Sequence, residues 1–170
     1  MVSVTQILAA EGFINTLWFD DYHSTRGTYV HRACELLDRD ELEEAELDSV
    51  LVPYVSAWQK FKKESGIEII EMETRLTSEV YQFTGKPDRI VKWNGYPTII
   101  DIKSGVVQPW TALQLAGYEI LKGSPHKRVG IQLTDESTYK ITEFKDRQDR
   151  QIFLSALACY YWKANNNIGR

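Results

Sequence analysis

The apolar positions of this chain change their period about a third of the way along. Over residues 28–39 they recur at helical spacing, with Val30, Cys34 and Leu37 on one side. Residues 52–65 repeat the pattern with Val55, Trp58 and Phe61, and Gly66 is placed to end that helix. Between them, residues 40–51 are acidic and predict a solvated helix. Beyond Gly66 the period falls to two. Ile67, Ile69, Glu71 and Glu73 then share one face, and Glu68, Ile70 and Met72 the other. Residues 79–83, 88–93 and 98–103 also predict strands, the last two joined by an Asn94-Gly95 hairpin turn. Residues 108–121 return to helical spacing, with Pro109 in the first turn and Gly123 after the end. Residues 128–133 and 138–144 read as a strand pair, and 146–164 as a long closing helix.

This order predicts an α/β, mixed α+β fold: a central mixed sheet flanked by helices. The length suits one domain over residues 1–170. Its helical part covers about 1–65, the sheet and crossover helix about 66–122, and the closing strands and helix about 123–170.

Composition narrows the function. Hydrophobic residues make up 43% and charged residues 26%, as in ordinary globular chains. A net charge of −4 excludes nucleic-acid binding by bulk positive charge, but not by a carboxylate-rich metal site. The two cysteines, Cys34 and Cys159, are expected as buried thiols and are too few for a four-cysteine cluster. The opening MVSVTQILAAEGF lacks the marks of a secretory leader, and no apolar run has the length of a membrane span. A cytoplasmic location is the expectation.

The candidate chemistry lies in the hairpin. On strand 98–103, Asp101 and Lys103 point to one face while Ile100 and Ile102 point to the other. Counting outward from Asn94-Gly95 sets Asp88 opposite Asp101 within a residue or two. Two converging carboxylates suit a hard divalent cation such as Mg²⁺ or Mn²⁺. Lys103 lies about 7 Å along the strand, where an ammonium orients a water or holds a phosphate oxygen, and where a nearby cation favours the neutral amine that can deprotonate a water. At that spacing a close Asp101–Lys103 ion pair is not expected. The combination is that of metal-assisted phosphodiester hydrolysis.

These residues resemble a known family. Pro87-Asp88 followed by Asp101-Ile102-Lys103 spells the PD-(D/E)xK nuclease signature. The segment from Arg26 to His31 resembles the "RGtxxH" helix of the RecB-like, phage-type exonuclease branch. Glu73 resembles that branch's acid before the Gly-x-Pro-Asp turn. Asp101 to Gly105 resembles its "DxKtG", and Gln114 to Tyr118 its "QxxxY". The resemblance runs from Leu17 to Leu121 with all motifs in family order. It implies a restriction-endonuclease-like core. It implies His31, Asp88, Asp101 and the Ile102 carbonyl as metal ligands, Lys103 as the catalytic lysine, and Glu73 as an acid tuning or binding the metal. Gln114 and Tyr118 would face the active site and the nucleic-acid strand.

The resemblance further implies a Mg²⁺- or Mn²⁺-dependent exonuclease on linear DNA in recombination, repair or replication. A phage-type origin and a homo-oligomer or recombination partner protein fit the same picture. The alternatives are a structure-specific endonuclease of junction-resolvase or restriction type, and an inactive DNA-binding or assembly module. The chain departs from relatives with an iron–sulfur cluster or a helicase, having neither four cysteines nor a GxxxxGK[ST] motif. Three further readings remain open. Glu35 is either a partner of His31 or solvated. Lys60, Lys62, Lys63, Lys86, Lys122, Lys127 and Arg128 are candidates for a phosphate track. Trp18, Trp58, Trp93, Trp110 and Trp162 read as core, with Trp110 as the candidate for stacking on a base.

Overall fold

A computed structural model describes residues 1–15 and 21–169. Leu17 and Trp18 of the readings above lie outside the described residues. A short strand β1 (Val2–Ser3) leads into helix α1 (Val4–Ala10), whose N-terminus Ser3 and Gln6 close as a capping box. Helix α2 (Asp21–Asp38) starts earlier than its apolar spacing predicts, and α3 (Val52–Ser65) follows. Gly66 ends α3 at φ 63°, the left-handed conformation that favours glycine.

Strands β2 (Glu68–Met72), β5 (Arg89–Trp93), β6 (Tyr96–Lys103), β7 (Lys127–Leu133) and β8 (Tyr139–Phe144) form one sheet in the order β2-β5-β6-β7-β8. Within this sheet only the β6–β7 pair is parallel, so the chain between them must cross over. It does so through α4 (Thr111–Lys122). A smaller sheet, β1-β4-β3, uses β3 (Leu76–Ser78) and β4 (Phe83–Gly85). Helix α5 (Gln148–Asn165) closes the chain.

The hairpin stands as the sequence predicts. Asn94 at φ 50° and Gly95 at φ 83° make the tight turn. Arg89 pairs with Ile100, which extends to Asp88 opposite Asp101.

Each face of the large sheet has its own core. Ile99 packs with α1, α4 and α5 through Ile7, Leu115, Phe153 and Leu157. Val91, Ile100, Ile102 and Ile131 pack with α2 and α3 through Val30, Cys34, Trp58 and Phe61. The alternation along β6 therefore turns Asp101 and Lys103 toward α4, and Ile100 and Ile102 toward α2 and α3.

Several expectations are corrected. Residues 40–51 are not a helix: α2 closes at Asp38, Asp40 turns at φ 58°, and only Glu44–Glu46 makes a 3-10 turn. Closely spaced carboxylates repel at helical spacing, which accounts for the lost helix. Residues 79–83 are not one strand. Ser78 Oγ accepts from the Tyr81 amide and Gln82 sits at φ 56°, so a turn separates β3 from β4. Cys34 is buried as expected, but Cys159 is exposed on α5. Trp58 lies in the core, whereas Trp162 is 61% exposed on the outer side of α5.

Candidate metal and catalytic centre

The site forms where the ends of β2 and β6 and the start of β5 meet α2 on one side and α4 on the other. Asp88, just before β5, is buried. Its Oδ2 accepts from the Ile102 amide at 2.6 Å, and its Oδ1 lies 3.3 Å from His31 Nδ1. Ile102 thus contributes its amide to Asp88, while its side chain enters the core under α2 and α3. Glu73 follows the end of β2. A register shift between Ile69 and Glu71 and a φ of 52° at Glu73 break the simple alternation there. Glu71 and Glu73 consequently find different partners: Glu71 takes Lys122 of α4 at 2.7 Å, and Glu73 takes Lys86 at 2.6 Å. His31, Glu73 and Asp88 each offer a donor atom, all within 4.8 Å of one another.

Asp101 is not a member of that triplet. It stands beside it, 2% exposed, with Oδ2 2.8 Å from Lys103 Nζ. The close pair, unexpected at this spacing, forms because the flexible lysine stem folds back along the strand. Its alignment is poor, and this buried oxygen has no hydrogen bond. Lys103 Nζ also donates to Gln114 Oε1 at 3.2 Å, and Gln114 Nε2 donates to the Tyr118 hydroxyl at 3.1 Å. Gln114 and Tyr118 are one turn apart on the buried face of α4. Trp110, just before α4, lies with its ring centroid 4.7 Å from the Lys103 ammonium.

Electrostatics separates the two aspartates. Burial alone would raise Asp88, but His31, the Ile102 amide and Lys103 hold it below the usual carboxylate range. Burial raises Asp101, the Asp88 charge adds to this, and Lys103 offsets only part. For His31, burial disfavours the charged ring, yet the carboxylates of Asp88 and Asp101 together push it up to about 9. Burial and the nearby Asp101 and Asp88 charges raise the Tyr118 phenol. Three carboxylates, Glu73, Asp88 and Asp101, thus converge here, with His31, Lys86, Lys103 and Arg89 as their cationic partners. With the unbonded Asp101 oxygen and the nitrogen-plus-oxygen triplet, these residues fit a divalent cation.

Sequence reasoning missed two residues beside this centre. Arg89 is 1% exposed; its Nη1 donates to the Asp88 carbonyl at 2.7 Å and reaches Glu73 Oε1 at 3.5 Å. Its Nε donates to Asp38 Oδ2 at 2.8 Å. A signal was present: an arginine preceding Val91 on the helix-covered face of β5 demands a buried acid. Glu35 does not join the site. It bonds Arg32 and Arg39 on the surface of α2, which bring its carboxyl below the usual range against the effect of burial. The basic residues proposed for a track are largely committed: Lys62 to Asp38, Lys86 to Glu73, Lys122 to Glu71, and buried Arg128 to Asp149 and Glu119.

Acids and a lysine grouped at the end of a mixed sheet, with a histidine supplied by a flanking helix, define a class of protein built to hold a divalent cation beside a reacting group. The particular family follows from comparison: residues 41–134 match the PD-(D/E)XK nuclease superfamily, and the chain belongs to it. Nucleases of this superfamily use divalent metals. The match contains Glu73, Asp88, Asp101, Lys103, Gln114 and Tyr118, while His31 lies before it. A protein from Eubacterium rectale, provisionally named an exonuclease, shares the fold at TM-score 0.55 and 14% identity, over 99% of this chain and 82% of that one. An alkaline exonuclease from Laribacter hongkongensis aligns over 98% of this chain and 93% of its own, at 15% identity and TM-score 0.47. No curated protein matches the chain. Among the described residues no helix is long and apolar enough to cross a membrane.

Proposed function

We propose that residues 1–170 form one catalytic domain, a Mg²⁺- or Mn²⁺-dependent deoxyribonuclease that digests linear DNA from an end. Recombination, repair or replication is the setting its motif set suggests. The observation that carries the reading is the Lys103 ammonium, held between Asp101 and Gln114 beside the His31–Glu73–Asp88 triplet.

In this reading His31, Glu73 and Asp88 hold the cation with Asp101 at their side, and the Ile102 backbone borders it. When bound, the cation supplies positive charge to the phosphoryl oxygens and lowers the pKa of water. As an ammonium Lys103 aligns the attacking water or steadies the phosphate, and only as a neutral amine, beside the cation's positive charge, would it take the water's proton. Gln114 accepts from the ammonium and so fixes its direction. Tyr118 accepts from Gln114 and fixes the amide in turn. Trp110 offers an aromatic face next to the lysine, suited to a base flanking the scissile phosphate.

End-labelled linear duplex, single strand and closed circular DNA, each incubated with Mg²⁺, Mn²⁺ or chelator, test the proposal. Linear DNA should shorten from its ends only with metal, and the closed circle should survive. Cutting of the circle would favour the endonuclease reading. No cutting of any substrate would favour a binding module. Lys103→Ala should abolish cleavage while leaving the fold intact, and a wild-type rate would overturn the role given to Lys103.

A further inference from the structure

Helix α2 meets the sheet along one stripe. Gly27, His31, Cys34 and Asp38 follow one another at helical spacing and share a face. Gly27 lies beside Ser104, the next residue after β6. His31 reaches Asp88, and Cys34 is in the core. Asp38, the last residue of the helix, reaches Arg89. Two turns apart, α2 therefore grips two consecutive residues of the sheet, Asp88 and Arg89.

The lower grip is a network centred on the Asp38 carboxylate. The Asp38 side chain has no exposure and accepts from Trp58 Nε1 with both oxygens at 3.0 Å, from Lys62 Nζ at 2.5 Å and from Arg89 Nε at 2.8 Å. Burying two full charges is not needed for stability, since apolar residues of the same volume usually serve as well. What the pair adds is direction. The same guanidinium donates to the carbonyl of Asp88 and approaches the carboxylate of Glu73, so it touches the residues of two of the three clustered donors.

We propose that Asp38 and Arg89 are positioning residues of the cation site: their ion pair locks the last turn of α2 to the residue after Asp88 and thereby sets His31 over the Asp88 carboxylate. This rests on the reading that His31 and Asp88 hold the cation.

The test is Mn²⁺ binding to the full chain, read by titration calorimetry without DNA. Asp38→Asn keeps an acceptor for Trp58 and should fold, yet raise the Kd by about tenfold or more, the scale of lost outer-shell support. Leu157→Ala, which opens a cavity in the other core, should lower stability and leave the Kd unchanged. In a His31→Gln background Asp38→Asn should add less than about threefold, because the residue it positions is gone. If Asp38→Asn does not fold, Arg89→Lys takes its place in the same cycle. A wild-type Kd in Asp38→Asn, or an equal penalty in both backgrounds, overturns the proposal. If His31→Gln and Asp88→Asn themselves bind Mn²⁺ like the wild type, the cation site itself is misassigned and the positioning role falls with it.

Discussion

The charge state of His31 gives the site a measurable pH signature in the metal-free protein. Asp88 lies 3.3 Å from its ring and Asp101 adds a second negative charge, so the imidazole is held up to about 9 although burial opposes its charge. A group whose pKa rises on folding stabilises the fold fully below its unfolded value of 6.5, and that stability is lost as pH climbs through about 9. The whole rise corresponds to roughly 3 kcal/mol. Because 31% of the side chain reaches water, we expect about 2 kcal/mol.

Urea unfolding in chelator at pH 6, 7.5 and 9.5, for wild type and His31→Gln, measures it. Cys34, buried and pushed up to about 12 from a thiol's ordinary 9.0, adds a second loss of stability at the alkaline end. It is common to both proteins, so the informative quantity is their difference. That difference should shrink by about 2 kcal/mol between pH 6 and 9.5. At pH 7.5 a cation entering beside Asp88 must displace the same proton, so Mn²⁺ titrated in buffers of different ionisation enthalpy should release about one proton. Parallel stability curves for the two proteins would refute the charged imidazole, and a buffer-independent heat would refute its displacement by the metal.

Three other outcomes check separate parts of the structure. Gln114→Leu removes the acceptor of Lys103 and leaves the buried Tyr118 hydroxyl without its donor; it should cost about 1–3 kcal/mol in urea and lower kcat for DNA cleavage more than it changes KM. Ellman's reagent should titrate one thiol, Cys159, in the native protein and both after unfolding, because the Cys34 thiol is buried and its pKa is pushed up to about 12. Gly117 lets α4 approach α5 and α1 so closely that an added Cβ would lie 2.9 Å from the Phe153 ring and 3.0 Å from Val4, so Gly117→Val should lower stability by about 1–3 kcal/mol by thermal unfolding.

What the sequence revealed and what it hid divide along a physical line. The hairpin was legible because Asn94-Gly95 can take two positive φ angles in succession, and counting from it placed Asp88 against Asp101. The QxxxY spacing was legible because one helical turn must align Gln114 with Tyr118. Signals of this kind are local, and backbone geometry alone decides them. The Asp101–Lys103 pair was misjudged because strand spacing describes Cβ atoms and not the reach of a four-carbon stem. Glu73 was placed on a simple alternation that the register shift in β2 breaks.

Asp38 and Arg89, 51 residues apart in the chain, carry no local sign of each other: the alternation of β5 marks Arg89 as needing a buried acid, but nothing near it says which one. Their pairing is set by how α2 docks, and docking is a property of two surfaces rather than of either sequence segment. The matched stretch from residue 41 to 134 likewise begins after α2 and leaves out His31 and Asp38. The acids and lysine are thus positioned by the sheet itself, whereas the histidine depends on an element fastened from outside it. A helix in that position serves the cation better when its height is fixed before the metal arrives, because a preorganised imidazole loses less freedom on binding.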